Sequence, residues 1–233
     1  MQNKTDEAQQ MLHTNIKSKQ IAVYFDFDGT LTSRDTLLPF LIYTVGYTRF
    51  FLKFHILIPI LLGYWLKVFT NERAKEKTLM VLLNGYSLTK LQDKAKNFAL
   101  RKLDRYIKPE IYTKLEYHVE HGHSIFLVSA NLALYLEYWA QRHHIDGVIA
   151  TEVQFINGVC TGKLQTRNCY GKHKLNRINE YLKKHQVQFD YSYGYGNSRG
   201  DYELLFYVNE GYWISGTEIV PWVEYRGSRS DKR

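Results

Sequence analysis

Residues 21–32 read IAVYFDFDGTLT, and this stretch decides the fold. IAVYF is a short run of β-branched and aromatic residues, the pattern of a buried strand. The run ends in Asp26, and Asp28 follows two residues later. As the backbone turns at the strand's exit, both carboxylates can face one site. Paired carboxylates there divide the work of nucleophile and acid/base, or share a hard cation. Gly29 lets the backbone turn closely. The plainer reading of the same residues is an Asp-rich turn with Thr30 as a cap.

Outward from this strand, the pattern from about Arg34 to His121 is helical. One helix stops at Asn84-Gly85, the next runs through LTKLQDKAKNFALRKL, and another follows Pro109. Strand signals return with HSIFLVSA (123–130), followed by the helix LALYLEYWAQRHH. GVIATEVQF and VCTGKL flank Asn157-Gly158 and read as a hairpin. A helix in GKHKLNRINEYLKK, a strand in FDYSYGYG, a helix from about Gly200 and the strand YWIS complete the series. Strands alternating with helices predict an α/β fold, a doubly wound and mostly parallel sheet. The helical stretch between the first two strands is too long for one crossover and reads as an inserted helical cap. The expected boundaries are a core at 21–33 and 122–220, a cap at 34–121, and flexible tails at 1–20 and 221–233.

Ligands of open parallel sheets bind at the carboxyl ends of the strands. The second strand ends in VSAN, where Ser129 and Asn131 precede a helix start suited to holding a phosphate oxygen. Both are also ordinary helix caps. In YGNSRGDYELL (195–205), Asn197 and Asp201 flank a turn, and their oxygens would complete a cation site. Lys174, in GKHKLNRI, would neutralise a nucleophile and a phosphoryl group together.

Taken in that order, these motifs resemble the haloacid-dehalogenase-like hydrolases of subfamily IB. That group includes phosphoserine phosphatase and the phosphatidylglycerophosphatase-C-like enzymes. The likeness covers roughly residues 21–216 and extends to DTLLPFL, ERAKEKTL and NCYGKHKLNRI. It implies that Asp26 is a nucleophile forming an aspartyl-phosphate and that Asp28 is the acid/base. It also implies that Ser129, with Asn131 beside it, binds the phosphoryl group, and that Lys174 is the cation of the third motif. Lys172 is a rival that the spacing disfavours. The implied cofactor is Mg²⁺, held by Asp26, the backbone carbonyl of Asp28 and Asn197, with Asp201 as a near neighbour.

Asp35 is offset from Asp26 as the amine-binding carboxylate is in phosphoserine phosphatase. The second Asp at 28 points to phosphoryl transfer and away from dehalogenation. One departure stands out: the fourth motif of close relatives reads YGDSRGD, and here it reads YGNSRGD. The expected function is therefore Mg²⁺-dependent hydrolysis of a small phosphate ester or a lipid phosphate. The alternative is a catalytically weakened relative that binds a phosphorylated ligand or a protein partner.

Composition narrows the partners. The 233 residues are 45% hydrophobic and 15% aromatic, which excludes a disordered chain. The net charge of +8 is spread along the chain without an aromatic-interleaved motif, so no nucleic-acid partner is expected. Two cysteines form no disulfide framework and suit a reducing cytoplasm. The N-terminal 20 residues hold no apolar stretch that would serve as a signal. Residues 36–70 are unusually apolar, but Arg49 and Lys53 split them, and Pro39, Gly46, Pro59 and Gly63 interrupt a straight span. They read as paired helices, either the core of the cap or a surface lying against an anionic membrane at its inner face.

Overall fold

The computed structural model describes residues 20–230. The expected N-terminal tail thus lies almost wholly outside the described residues. Six strands form the main sheet: β1 (Ile21–Phe25), β2 (Ser124–Leu132), β3 (Gly147–Thr151), β6 (Tyr191–Gly196), β7 (Glu210–Ser215) and β8 (Glu218–Pro221). Their order is β3-β2-β1-β6-β7-β8. All neighbours pair in parallel except β7 and β8, which are antiparallel. β1 is central, so both its faces are covered: Val23 and Phe25 enter one hydrophobic layer, Ala22 and Tyr24 the other. That double burial is why its sequence is continuously apolar.

Between β1 and β2 lie α1 (Leu37–Val45), α2 (Tyr47–Trp65), α3 (Asn71–Leu83), α4 (Leu88–Phe98) and α5 (Pro109–Glu120). The chain enters and leaves the inserted helices through one short zipper. Ser33 N–H donates to Tyr106 O at 2.7 Å and Lys108 N–H to Leu31 O at 2.8 Å, with a Thr32–Ile107 bridge between them. The insert therefore closes near residue 107 and not at 121. α5 lies on the sheet side, where His118 contacts Phe25 and Tyr195. It is preceded by a π-helical turn (Ala99–Leu103), which continues α4 as the sequence pattern expected, and a 3₁₀ turn (Asp104–Tyr106).

After β2 come α6 (Ala133–Arg142), β3, β4 (Val153–Ile156), β5 (Val159–Leu164), α7 (Lys172–His185), β6, α8 (Tyr202–Tyr207), β7, β8 and α9 (Trp222–Ser230). Three expectations need correction. The segment GVIAT is not part of the hairpin. It forms the edge strand β3, and β4 alone pairs with β5 across the Asn157-Gly158 turn. Pro59 does not break α2, which runs 19 residues through it; the interruption falls at Gly46, where α1 and α2 meet at 120°. Finally, the expected flexible tail from 221 begins with the last residue of β8 and the helix α9. Its Trp222 is buried against Trp213 and Leu205.

Candidate active site

The carboxyl ends of β1, β2 and β6 converge as the topology requires. Asp26 is buried where β1 ends, its N–H donating to Tyr195 O of β6 at 2.9 Å. Its two oxygens have different partners: Oδ1 accepts from Lys174 Nζ at 2.6 Å and Oδ2 from the Thr30 hydroxyl at 2.9 Å. The next five residues form a tight turn in which Gly29 has φ +80°. A Cβ there would also land on the Asn197 amide, so glycine is required by conformation and by space.

Lys174, in the first turn of α7, is buried and fully used. Its three protons go to Asp26 Oδ1, Asp201 Oδ1 at 2.5 Å and the Val128 carbonyl at 2.7 Å. Burial disfavours its charge, but Asp201 and Asp26 outweigh that and hold the ammonium well above its ordinary range. Burial and the charge of Asp201 push Asp26 up to about 6, opposed by Lys174 and Thr30.

Asp28 sits in a separate network. Its Oδ1 accepts from Thr36 N–H at 3.0 Å and the Thr36 hydroxyl at 2.7 Å, and its Oδ2 accepts from the Asn131 amide. The buried Tyr135 hydroxyl lies 2.9 Å from Thr36 Oγ1. Burial, then the neighbouring Asp35, pushes Asp28 up to about 7. Two carboxylates two residues apart thus occupy different environments, the condition for giving them different roles.

Ser129 is buried near the end of β2 and its Oγ accepts the Asn131 N–H at 3.0 Å. A hydroxyl already acting as acceptor has its proton left to donate to a phosphoryl oxygen. Asn131 lines the same cavity, but its amide is engaged with Asp28, Thr36 and the Leu132 N–H. The structure therefore uses it to hold Asp28. Asp35 is exposed at the rim, accepting the Leu37 N–H at the start of α1.

Asn197 and Asp201 separate in role. Asn197 Oδ1 lies 3.2 Å from the same Thr30 hydroxyl that reaches Asp26. One hydroxyl carries one proton, so two acceptor oxygens turn toward a point where only one can be satisfied. That all-oxygen arrangement fits a hard cation such as Mg²⁺. Asp201 does not share it. Its Oδ1 is committed to Lys174, and its Oδ2 accepts from Asn197 N–H, Ser198 N–H and the Ser198 hydroxyl. It serves as counter-ion to Lys174 and as a clamp on the loop at 197–198.

Asp26, Asp28, Ser129, Asn131 and Lys174 line a cavity of about 410 Å³ shared with the insert, which contributes Leu61, Tyr64, Asn71 and Lys75. Lys75 escaped the sequence reading, being one lysine among many. Its Nζ donates to Ala130 O at 2.6 Å and Asn168 Oδ1 at 2.8 Å. Burial lowers its pKa to about 8, with Asp35 and Asp28 opposing. Thr36 was missed as well, since only the folded chain brings it to Asp28.

The site thus sits at the carboxyl ends of a parallel sheet, with Asp26 after the central strand, a second Asp two residues on and the buried Lys174 from α7. The model of the haloacid dehalogenase-like hydrolases matches residues 23–205, and the chain belongs to that family. It is similar to Protein CicA of Caulobacter vibrioides, with 29% identity over 198 residues, covering 83% of this chain and 86% of that one. Among solved structures it is similar to a protein of unknown function from Bordetella pertussis, at 20% identity and a TM-score of 0.75. That match covers 91% of this chain and 97% of the other. It also resembles a phosphoserine phosphatase described as a phospho-aspartyl intermediate analogue. There the identity is 15% and the TM-score 0.57, over 83% and 86% of the two chains.

Proposed function

We propose that the protein is a Mg²⁺-dependent phosphomonoester hydrolase that works through an aspartyl-phosphate on Asp26. The observation that carries this reading is the division of two carboxylates between two networks. Asp26 lies between Lys174 and Thr30, while Asp28 is held by Thr36 and Asn131. Asp26 attacks phosphorus, the ester P–O bond breaks, and the leaving alkoxide takes a proton from Asp28. Asp28 then removes a proton from water, which attacks the phosphoryl group. The Asp26–phosphorus bond breaks, releasing inorganic phosphate and regenerating both groups.

Ser129 orients the phosphoryl oxygens, and Lys174 keeps Asp26 ionised and offsets the charge it meets. Mg²⁺, held by Asp26, the Asp28 carbonyl and Asn197, would neutralise charge on the transferring group. The substrate is a small phosphate ester or a lipid phosphate, and the unpaired buried thiols Cys160 and Cys169 support a cytoplasmic setting. The neutral amide of Asn197, a weaker cation ligand than a carboxylate, favours the second reading, a weakened relative that binds a phosphorylated ligand or a protein partner.

The test is hydrolysis of an aryl phosphate with and without Mg²⁺, comparing wild type with Asp26→Asn. Mg²⁺-dependent turnover that disappears in the variant is the expected result. Turnover that survives in Asp26→Asn overturns the aspartyl-phosphate. No turnover in either protein, with none restored by Asn197→Asp, favours the binding role.

A further inference from the structure

Two lysines line the catalytic cavity, and only one of them has a proton to spare. Lys174 gives its three N–H groups to Asp26, Asp201 and the Val128 carbonyl. Lys75, carried by α3 of the insert, gives two, to Ala130 O at 2.6 Å and Asn168 Oδ1 at 2.8 Å. An ammonium has three donors, so one is left over on a side chain that faces the cavity. Both acceptors are neutral, and among the described residues no ion pair includes Lys75.

Holding the lysine there is costly. Burial draws its ammonium down to about 8, the direction expected for a cation taken out of water without a matching anion. A long stem on a helix would ordinarily carry such a charge out to solvent. Here the core retains it with acceptors that are themselves fixed. The Thr151 hydroxyl reaches Ala130 O at 2.8 Å and Asn168 Oδ1 at 3.1 Å, and Asn168 Nδ2 donates to Asn71 Oδ1 at 2.9 Å. The amide therefore presents its oxygen to Lys75. A cation so firmly placed and left without an anion is suited to one that arrives with the ligand.

Position decides which part of the ligand that is. The carboxylates acting most on Lys75 are Asp35 and then Asp28. Asp28 serves the leaving alkoxide in the proposed reaction, whereas Asp26, which takes the phosphoryl group, is already matched by Lys174. Lys75 thus stands on the alcohol side, beside Leu61, Tyr64 and Asn71. Neither carboxylate uses it up. Asp28 is closed in by Thr36 and Asn131, and Asp35 is exposed, where water screens its charge.

We propose that Lys75 determines specificity, and that the substrate is a phosphomonoester whose alcohol carries a second oxyanion, a carboxylate or a phosphate, accepting the third Lys75 proton. The proposal rests on the phosphatase reading. The same ammonium then joins insert, core and ligand.

The test measures kcat and KM for the ortho, meta and para carboxyphenyl phosphates. Each is compared with the carbamoylphenyl phosphate of the same shape, which lacks the second charge, and with the matching phenylene bisphosphate. In wild type at least one doubly anionic ester should exceed its carbamoyl partner in kcat/KM by about tenfold or more, chiefly through KM. Whether the carboxylate or the bisphosphate series shows this identifies the oxyanion. In Lys75→Met, similar in length and uncharged, that ratio should fall to about one.

The absence of any such preference in wild type would overturn the proposal. So would a loss in Lys75→Met that is equal for charged and neutral esters, since that is how a mere brace between insert and core would behave. Lys75→Gln supplies the same comparison if Lys75→Met does not fold. If no ester is turned over, the phosphatase reading fails separately. Calorimetric binding of the same compounds then reads the ratio, and its loss or survival in the variant upholds or overturns the role of Lys75.

Discussion

Lys174→Met removes the one ammonium on which two buried carboxylates close. In the intact cluster the contacts are 2.6 Å to Asp26 and 2.5 Å to Asp201, with all three side chains essentially out of water. At an effective dielectric of about 20, each contact is worth ~6 kcal/mol of attraction. Bringing three ions out of water costs several kcal/mol apiece, so the complete cluster is close to neutral for stability. Methionine fills the volume but leaves the carboxylates uncompensated, and the expected loss is about 3–5 kcal/mol. For a chain of this size that is a fall of roughly 10 °C in Tm.

The loss should depend on pH. Without the cation, Asp26 loses the charge that opposes its raised pKa, so its folded-state value climbs further above the unfolded one. The variant then gives up stability as pH rises from about 4 through that raised value. Urea denaturation at about pH 4.5 and pH 7.5 should show a small deficit at the lower pH and a large one at the higher. A deficit equal at both, or below about 1 kcal/mol at the higher, would refute this account of the cluster.

Asn197→Asp should lower the Mg²⁺ concentration for half-maximal turnover by about tenfold, since a charged oxygen ligand gains more than a neutral one; an unchanged titration would sink the assignment of Asn197 to the metal. Gly29→Ala should cost about 1–3 kcal/mol and most of the turnover, because the residue has φ +80° and a Cβ would displace Asn197. Thermal melts and aryl phosphate assays check both effects. His118 is pushed down to about 4, by burial first and then by His123. The unfolded chain thus takes up a proton near pH 6.5 that the folded one refuses, and stability falls as pH drops from 6.5 toward 4. In His118→Gln the stability difference between about pH 7 and pH 5 should shrink, as read by urea melts.

The parts legible in the sequence are those whose signal is local. β1 announces itself by double burial, and the acidic turn after it by Asp26, Asp28 and Gly29 within four residues. Ser129, Lys174 and Asn197 follow at strand ends and crossovers, in an order more specific than any one of them. What sequence did not disclose depends on distant partners. A lysine reads as solvated until a carbonyl and an amide close on it, which is how Lys75 was missed. Asp201 looked available because its consumption by Lys174 and Ser198 depends on a buried cation from another helix. β8 and α9 were missed because GTEIVP lacks alternation and the buried Trp222 sits beside a run of charge.

The hairpin of β4 and β5 follows β3 in the chain, yet it is stitched to the insert. Gly85 N–H donates to Cys160 O, Cys160 N–H to Tyr86 O and Leu88 N–H to Gly158 O, all within 2.9 Å. Gly162 lies against the backbone of Met80 so closely that a Cβ would not fit. Any displacement of α3 and α4 must carry the hairpin along. The body over the catalytic groups is thus assembled from two separate stretches of chain. Its tethers are the zipper at 31–33 with 106–108 and the short links either side of residues 153–164. Loosening one of these tethers, far from any phosphate, would alter how Leu61, Tyr64 and Lys75 meet the catalytic carboxylates.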